Sequence, residues 1–185
     1  MKQKALRKAM WEDAGKAGLA LGLTSTAYLF LTQFLTGAEL PAILSMLLST
    51  ALWVAKFGGC IWLMMMYMKR FSAKNPEVSN ADTYRYGMAT ALLSALVYAA
   101  ASLANTAFIS ADMINEQYTA LMEQLAPVMD SNSMTQMSEV MENLPQLTFV
   151  SNLIYCTIFG CVLSFILSRN IPSRDPFANI TTDEQ

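Results

Sequence analysis

The chain has 185 residues and a formal net charge of −2, with 54% of residues apolar and 14% charged. Length alone would suit one soluble domain, but the charges fall in blocks separated by uncharged runs of about 20 residues, enough to cross a bilayer. That pattern excludes a soluble globular domain and indicates a polytopic membrane protein.

Residues 1–16 carry Lys2, Lys4, Arg7, Lys8 and Lys16 against Glu12 and Asp13, with Ala5, Met10 and Trp11 able to share one side of a helix. They predict a short basic helix on the membrane surface, Trp11 at headgroup level. The apolar run 17–35 is too long for a signal-peptide core and is followed by no small-x-small cleavage site, so an uncleaved first span is expected. Gly18 and Gly22, just after Gly15, form a GxxxG pair that lets another helix approach closely, and packing within the bundle is favoured over dimerisation. A short turn at 36–40 leads to the second span, 41–68. Its residues would rise about 42 Å with one charge, Lys56, before the run stops at Lys69-Arg70.

The polar loop 69–83 contains Asn75-Pro76 and a helix start at Ser79 or Asn80, with Asp82 in the first turn. The third span, 84–109, is rich in small residues (Gly87, Ala91, Ser94, Ala95, Ala99, Ala101), which suits a central helix. Within 110–145, Ile114, Tyr118, Leu121, Leu125 and Val128 repeat at helical spacing, as do Met134, Met137, Met141 and Leu144, with a break near 127–133. They predict an amphipathic helical hairpin. The fourth span is 147–168, and the polar tail 169–185 is expected to be disordered. The fold class is therefore all-α, a four-transmembrane-helix bundle with an extracytoplasmic amphipathic hairpin between spans three and four.

Of the twelve basic residues, all but Lys56 lie in the N-terminal segment, at 69–85 or in the tail. The first turn and the hairpin instead carry Glu39, Asp112, Glu116, Glu123, Asp130, Glu139 and Glu142. By the positive-inside rule both termini are cytoplasmic and the hairpin is outside.

Counted from the basic anchor of its own helix, Lys56 lies 13 residues deep, Tyr28 12, Tyr98 13 and Tyr155 14. All four fall at one level, about 20 Å in, with Thr26, Ser94, Ser102, Asn105, Asn152 and Thr157 within a turn of it. A polar chamber there could hold an anion, such as a lipid-linked phosphate, on Lys56, since no span supplies a carboxylate. The plainer alternative is that Lys56 snorkels outward at modest cost.

Met134, Met137 and Met141 could offer three thioethers to copper(I), but the same spacing is what an apolar stripe or partner-docking face requires, and that reading is preferred. The acidic residues lack the spacing of a calcium loop. No nucleophile elbow, phosphate-binding glycine loop or paired-carboxylate site is present. There is no histidine, the commonest general base and metal ligand, which argues against hydrolytic or metal-dependent chemistry. Cys60, Cys156 and Cys161 all lie in apolar runs, where neither a disulfide framework nor a zinc site is expected, and read as small buried hydrophobes. No cofactor is expected, and the basic residues act as topology signals facing anionic headgroups rather than nucleic acid.

The glycine-bearing first span, the stretch Asp82-Thr83-Tyr84-Arg85-Tyr86-Gly87-Met88, the Met-rich acidic external segment and a last span ending in a basic residue together resemble the domain of unknown function 4199 family, over residues 10–170. The resemblance implies a small four-span inner-membrane protein of Gram-negative bacteria without assigned activity or catalytic residues. It also implies a membrane-associated glycosyltransferase, or another membrane protein, as a partner. The leading expectation is a non-enzymatic subunit or scaffold. The alternative is a carrier or translocase for an anionic lipid or lipid-linked sugar, with Lys56 on the phosphate and Tyr28, Tyr98 and Tyr155 lining the site.

Overall fold

The computed structural model describes residues 2–37, 41–75, 78–125 and 127–171. These form helices α1 (Lys2–Gly37), α2 (Ala42–Lys74), α3 (Asn80–Ala104), α4 (Ala111–Leu125), α5 (Ser131–Glu142) and α6 (Leu144–Asn170), with no strand among them. A π-helical turn, Asn105–Ile109, prolongs α3. Helices α1, α2, α3 with its π turn, and α6 are each long and apolar enough to cross a membrane. This is the build of a multi-pass membrane protein. The centre of the first turn, including Glu39, Pro76 of the polar loop, and the tail from residue 172 onward lie outside the described residues.

Local chemistry sets the helix ends. The Ser79 hydroxyl accepts from the Asp82 N–H at 3.2 Å while the Asp82 carboxylate accepts from the Ser79 N–H at 3.4 Å, a capping box that starts α3. At the end of α2 the backbone and side-chain N–H groups of Asn75 both donate to the Phe71 carbonyl, at 3.2 and 3.0 Å. Pro145 sits in the first turn of α6, where its missing N–H costs nothing. Two boundaries differ from the sequence reading. The basic segment and first span are one helix of 36 residues, and α2 runs past Lys69-Arg70 to Lys74. Those basic residues end the apolar run but not the helix, because Phe71 beyond them is buried.

Helix α3 is central, packed on α6 along one face and on α1 along another, while α2 lies chiefly against α1. Small residues permit both approaches. A Cβ on Gly18 would sit 2.7 Å from the Leu93 Cβ, and one on Gly22 2.6 Å from the Val97 Cβ. On the α6 side, a Cβ on Gly87 would collide with the Ser164 hydroxyl, and one on Gly160 with Ala91. Ser164 uses that space to donate to the Tyr84 carbonyl at 2.9 Å.

The buried core gathers at the basic end of the bundle, where Ala14, Ala17, Met64, Met68, Phe71, Val78, Tyr86, Leu167 and Ile171 meet. At the other end α4 continues from the π turn and α5 leads into α6. The Gln33 amide donates to the Ser110 hydroxyl at 2.7 Å, fastening the far end of α1 to the point where α4 begins. Neither α4 nor α5 contains a fully buried residue.

Candidate functional site

Three helices meet at Lys56. Its ammonium nitrogen stands 4.7 Å from the centre of the Tyr28 ring of α1, 5.0 Å from that of Tyr98 of α3 and 5.8 Å from that of its neighbour Phe57. One turn further along α2, the Cys60 sulfur lies 3.7 Å from the Ser25 hydroxyl of α1. Phe57 in turn meets Phe159 of α6 edge-on at 5.6 Å. The lysine forms no ion pair with a described residue, so its charge is offset by the negative faces of aromatic rings. The side chain is half-buried and its ammonium is turned toward α1 and α3. An anion entering here would have to compete with those ring faces for the ammonium.

Tyr155 does not join the cage. It is 61% exposed and stacks on Phe159 with centroids 6.4 Å apart. The Asn152 amide donates to the Ser102 hydroxyl at 2.9 Å, joining α6 to α3. Asn105 lies in the π turn with its side-chain oxygen buried and no hydrogen-bond partner among the described residues. Neither asparagine bonds Lys56, and of the four residues predicted at one level, Lys56, Tyr28 and Tyr98 come together.

Met134, Met137 and Met141 are half-buried on one face of α5. Met137 and Met141, with Tyr118 of α4 and Val140, line a cleft of about 300 Å³ between α4 and α5. Apolar side chains of this segment remain open, Val128 being 79% and Val140 53% exposed. The Asp130 carboxylate caps α5, accepting from the Ser133 N–H at 3.1 Å. Hydrogen bonds from the Ser133 side chain and backbone hold that carboxyl below the usual aspartate range.

A polar node at the basic end went unnoticed in the sequence. The buried Tyr86 hydroxyl donates to the Asp13 carboxylate at 3.1 Å, whose other oxygen lies 3.6 Å from the Lys74 ammonium. The Phe71 ring stacks flat on Tyr86, centroids 4.3 Å apart and planes 3° from parallel. The only signal was Phe71 itself, an aromatic residue beyond an apparent helix stop.

An all-α chain with four membrane-capable helices, the small-residue α3 packed between two of the others, falls in the class of small multi-pass membrane proteins. The chain belongs to the family described as "Protein of unknown function (DUF4199)", which matches residues 16–169. No curated protein and no solved structure matches it.

Proposed function

We propose that the protein is a non-enzymatic subunit or scaffold of a bacterial inner-membrane complex, with both termini cytoplasmic and the α4–α5 hairpin presented outside to a partner. The observation that carries this reading is the hairpin's half-open methionine face: in a segment without a fully buried residue, Val128, Val140, Leu121 and Met113 are exposed, and Val140 also lines the Met137–Met141 cleft. Apolar surface of that kind on an extramembrane element marks an interaction site, and methionine adapts to irregular contacts. The orientation is supported by the separation of charge, since Lys69, Arg70, Lys74, Arg85 and Arg169 all lie at the end of the bundle away from the hairpin. A photo-crosslinking residue at Met137 in cells should capture one defined membrane-protein partner, and Val140→Glu with Met141→Glu should abolish the adduct while the protein still inserts. Adducts only to bulk lipid, or a partner captured equally in the variant, would refute the docking face.

A second reading, a carrier for an anionic lipid or lipid-linked sugar, draws support from the convergence of Lys56 with Tyr28 and Tyr98 at one level. It requires Lys56→Met to abolish cell function with folding intact; the subunit reading requires function to persist.

A further inference from the structure

A second cavity opens at the basic end, away from α4 and α5, and its inner end at Thr157 reaches about the level of Lys56. It encloses about 700 Å³ and is lined by Arg7, Met10 and Trp11 of α1, Arg85, Met88 and Leu92 of α3, and Thr157 and Cys161 of α6. On α3 the lining positions, with Asp82 and Ala89, recur at helical spacing along one face. The groove is floored by that face and walled by the first turns of α1 on one side and by α6 on the other.

Its chemistry changes along its length. The mouth holds Arg7, Arg85 and Asp82. Asp82 is already paired to Arg85 at 3.4 Å, and Arg7 has no carboxylate partner among the described residues, so the mouth keeps one uncompensated positive charge. Deeper in, Met88, Ala89, Leu92 and Cys161 supply apolar surface, and the one hydroxyl there, that of Thr157, is itself covered and offers nothing polar to an occupant. Thr157 lies 12 residues before Arg169, about 18 Å along the helix, close to the half-thickness of a hydrocarbon core about 30 Å across. A cationic mouth above an apolar slot one leaflet deep has the shape and charge of a single amphiphile of that leaflet. Guanidinium groups suit its head, since they bind phosphate oxygens in a fixed fork.

We propose that this groove is a binding site for an anionic phospholipid, its singly charged phosphodiester held by Arg7 and Arg85 and one acyl chain lying over Met88 and Leu92. Trp11, which lines the groove and is half exposed, reports on it. With Trp53→Phe and Trp62→Phe leaving Trp11 as the sole tryptophan, the protein is reconstituted in phosphatidylcholine vesicles titrated with brominated phosphatidylglycerol or brominated phosphatidylcholine. Quenching of Trp11 should be half complete at about fivefold less of the anionic lipid, the preference that about one uncompensated arginine confers near a membrane surface. Arg7→Gln with Arg85→Gln, both exposed positions that leave the core untouched, should equalise the two lipids. Lys69→Gln with Arg70→Gln, an equally basic exposed pair outside the groove, should leave the preference intact. The proposal is overturned if both lipids quench equally in the parent, if the preference survives loss of both groove arginines, or if the control pair abolishes it, since the attraction is then diffuse. Absence of quenching by either lipid, with the protein dimeric by sedimentation, would overturn it in favour of a second copy covering the groove.

Discussion

Lys56 shows how a membrane helix carries a charge without a counterion. A central lysine costs roughly 2.5 to 3.5 kcal/mol on insertion scales, and a cation over an aromatic face recovers about 0.5 to 2 kcal/mol according to how far it is desolvated, so rings on two other helices offset part of the penalty. The asymmetry between partners gives a test. Tyr28→Leu or Tyr98→Leu leaves the half-buried ammonium with one ring fewer and should destabilise the folded protein by about 0.5–2 kcal/mol in detergent unfolding. Lys56→Met, which removes both the charge and its need, should be nearly neutral, and combining it with either tyrosine variant should shrink the tyrosine's cost. Equal costs with and without the lysine would show that the rings serve packing alone. Asp130 titrates in the opposite setting, fully in solvent. Its carboxyl is depressed in the folded state by Ser133, so its contribution is present above the ordinary aspartate value near 3.9 and is lost as pH falls through the lower folded value. The first turn of α5 should therefore keep its helical chemical shifts down to a pH below the usual carboxylate range and then fray. Asp130→Asn, which still caps, should remove that transition.

Among the elements, α3 is set by what its neighbours lack. Gly87→Ala drives a methyl into the Ser164 hydroxyl and to within 3.2 Å of the Met68 Cε, which should cost about 1–3 kcal/mol by overpacking. Gly58 and Gly59 on α2 have nothing within 4 Å of an added Cβ, so alanine there should be neutral or stabilising by up to about 1 kcal/mol from helix propensity. Thermal unfolding of the three variants decides whether the small residues serve close packing or are incidental. The same contrast explains what the sequence made legible. Helix existence, a helix start at Ser79 or Asn80 and the break between α4 and α5 follow from local chemistry, and so did the small-residue character of α3. Depth along a helix is also a local count, and it put Lys56, Tyr28 and Tyr98 at one level. Rotation about the helix axis is not: Gly160, Ser164 and Ser168 mark the packed face of α6, and Tyr155 lies off it. The node of Asp13, Lys74 and Tyr86 was illegible for a further reason, since its members are far apart in sequence and two of them look like ordinary surface charges.

At the scale of the molecule the two ends are unlike. The basic end is packed and cross-linked by aromatic and ionic contacts, while the hairpin end is rooted in the π turn and α6 and keeps apolar side chains open. A packed base carrying exposed apolar side chains on α4 and α5 is the arrangement the proposed subunit role requires. The most direct test of that account is native mass spectrometry of the gently solubilised protein beside Lys56→Met and the Val140→Glu, Met141→Glu variant. A stoichiometric protein partner retained with Lys56→Met and lost with the hairpin variant is the expected result. A partner-free protein that carries a phosphate-bearing polyprenyl lipid, released by Lys56→Met, would contradict it and assign the lysine to a carrier.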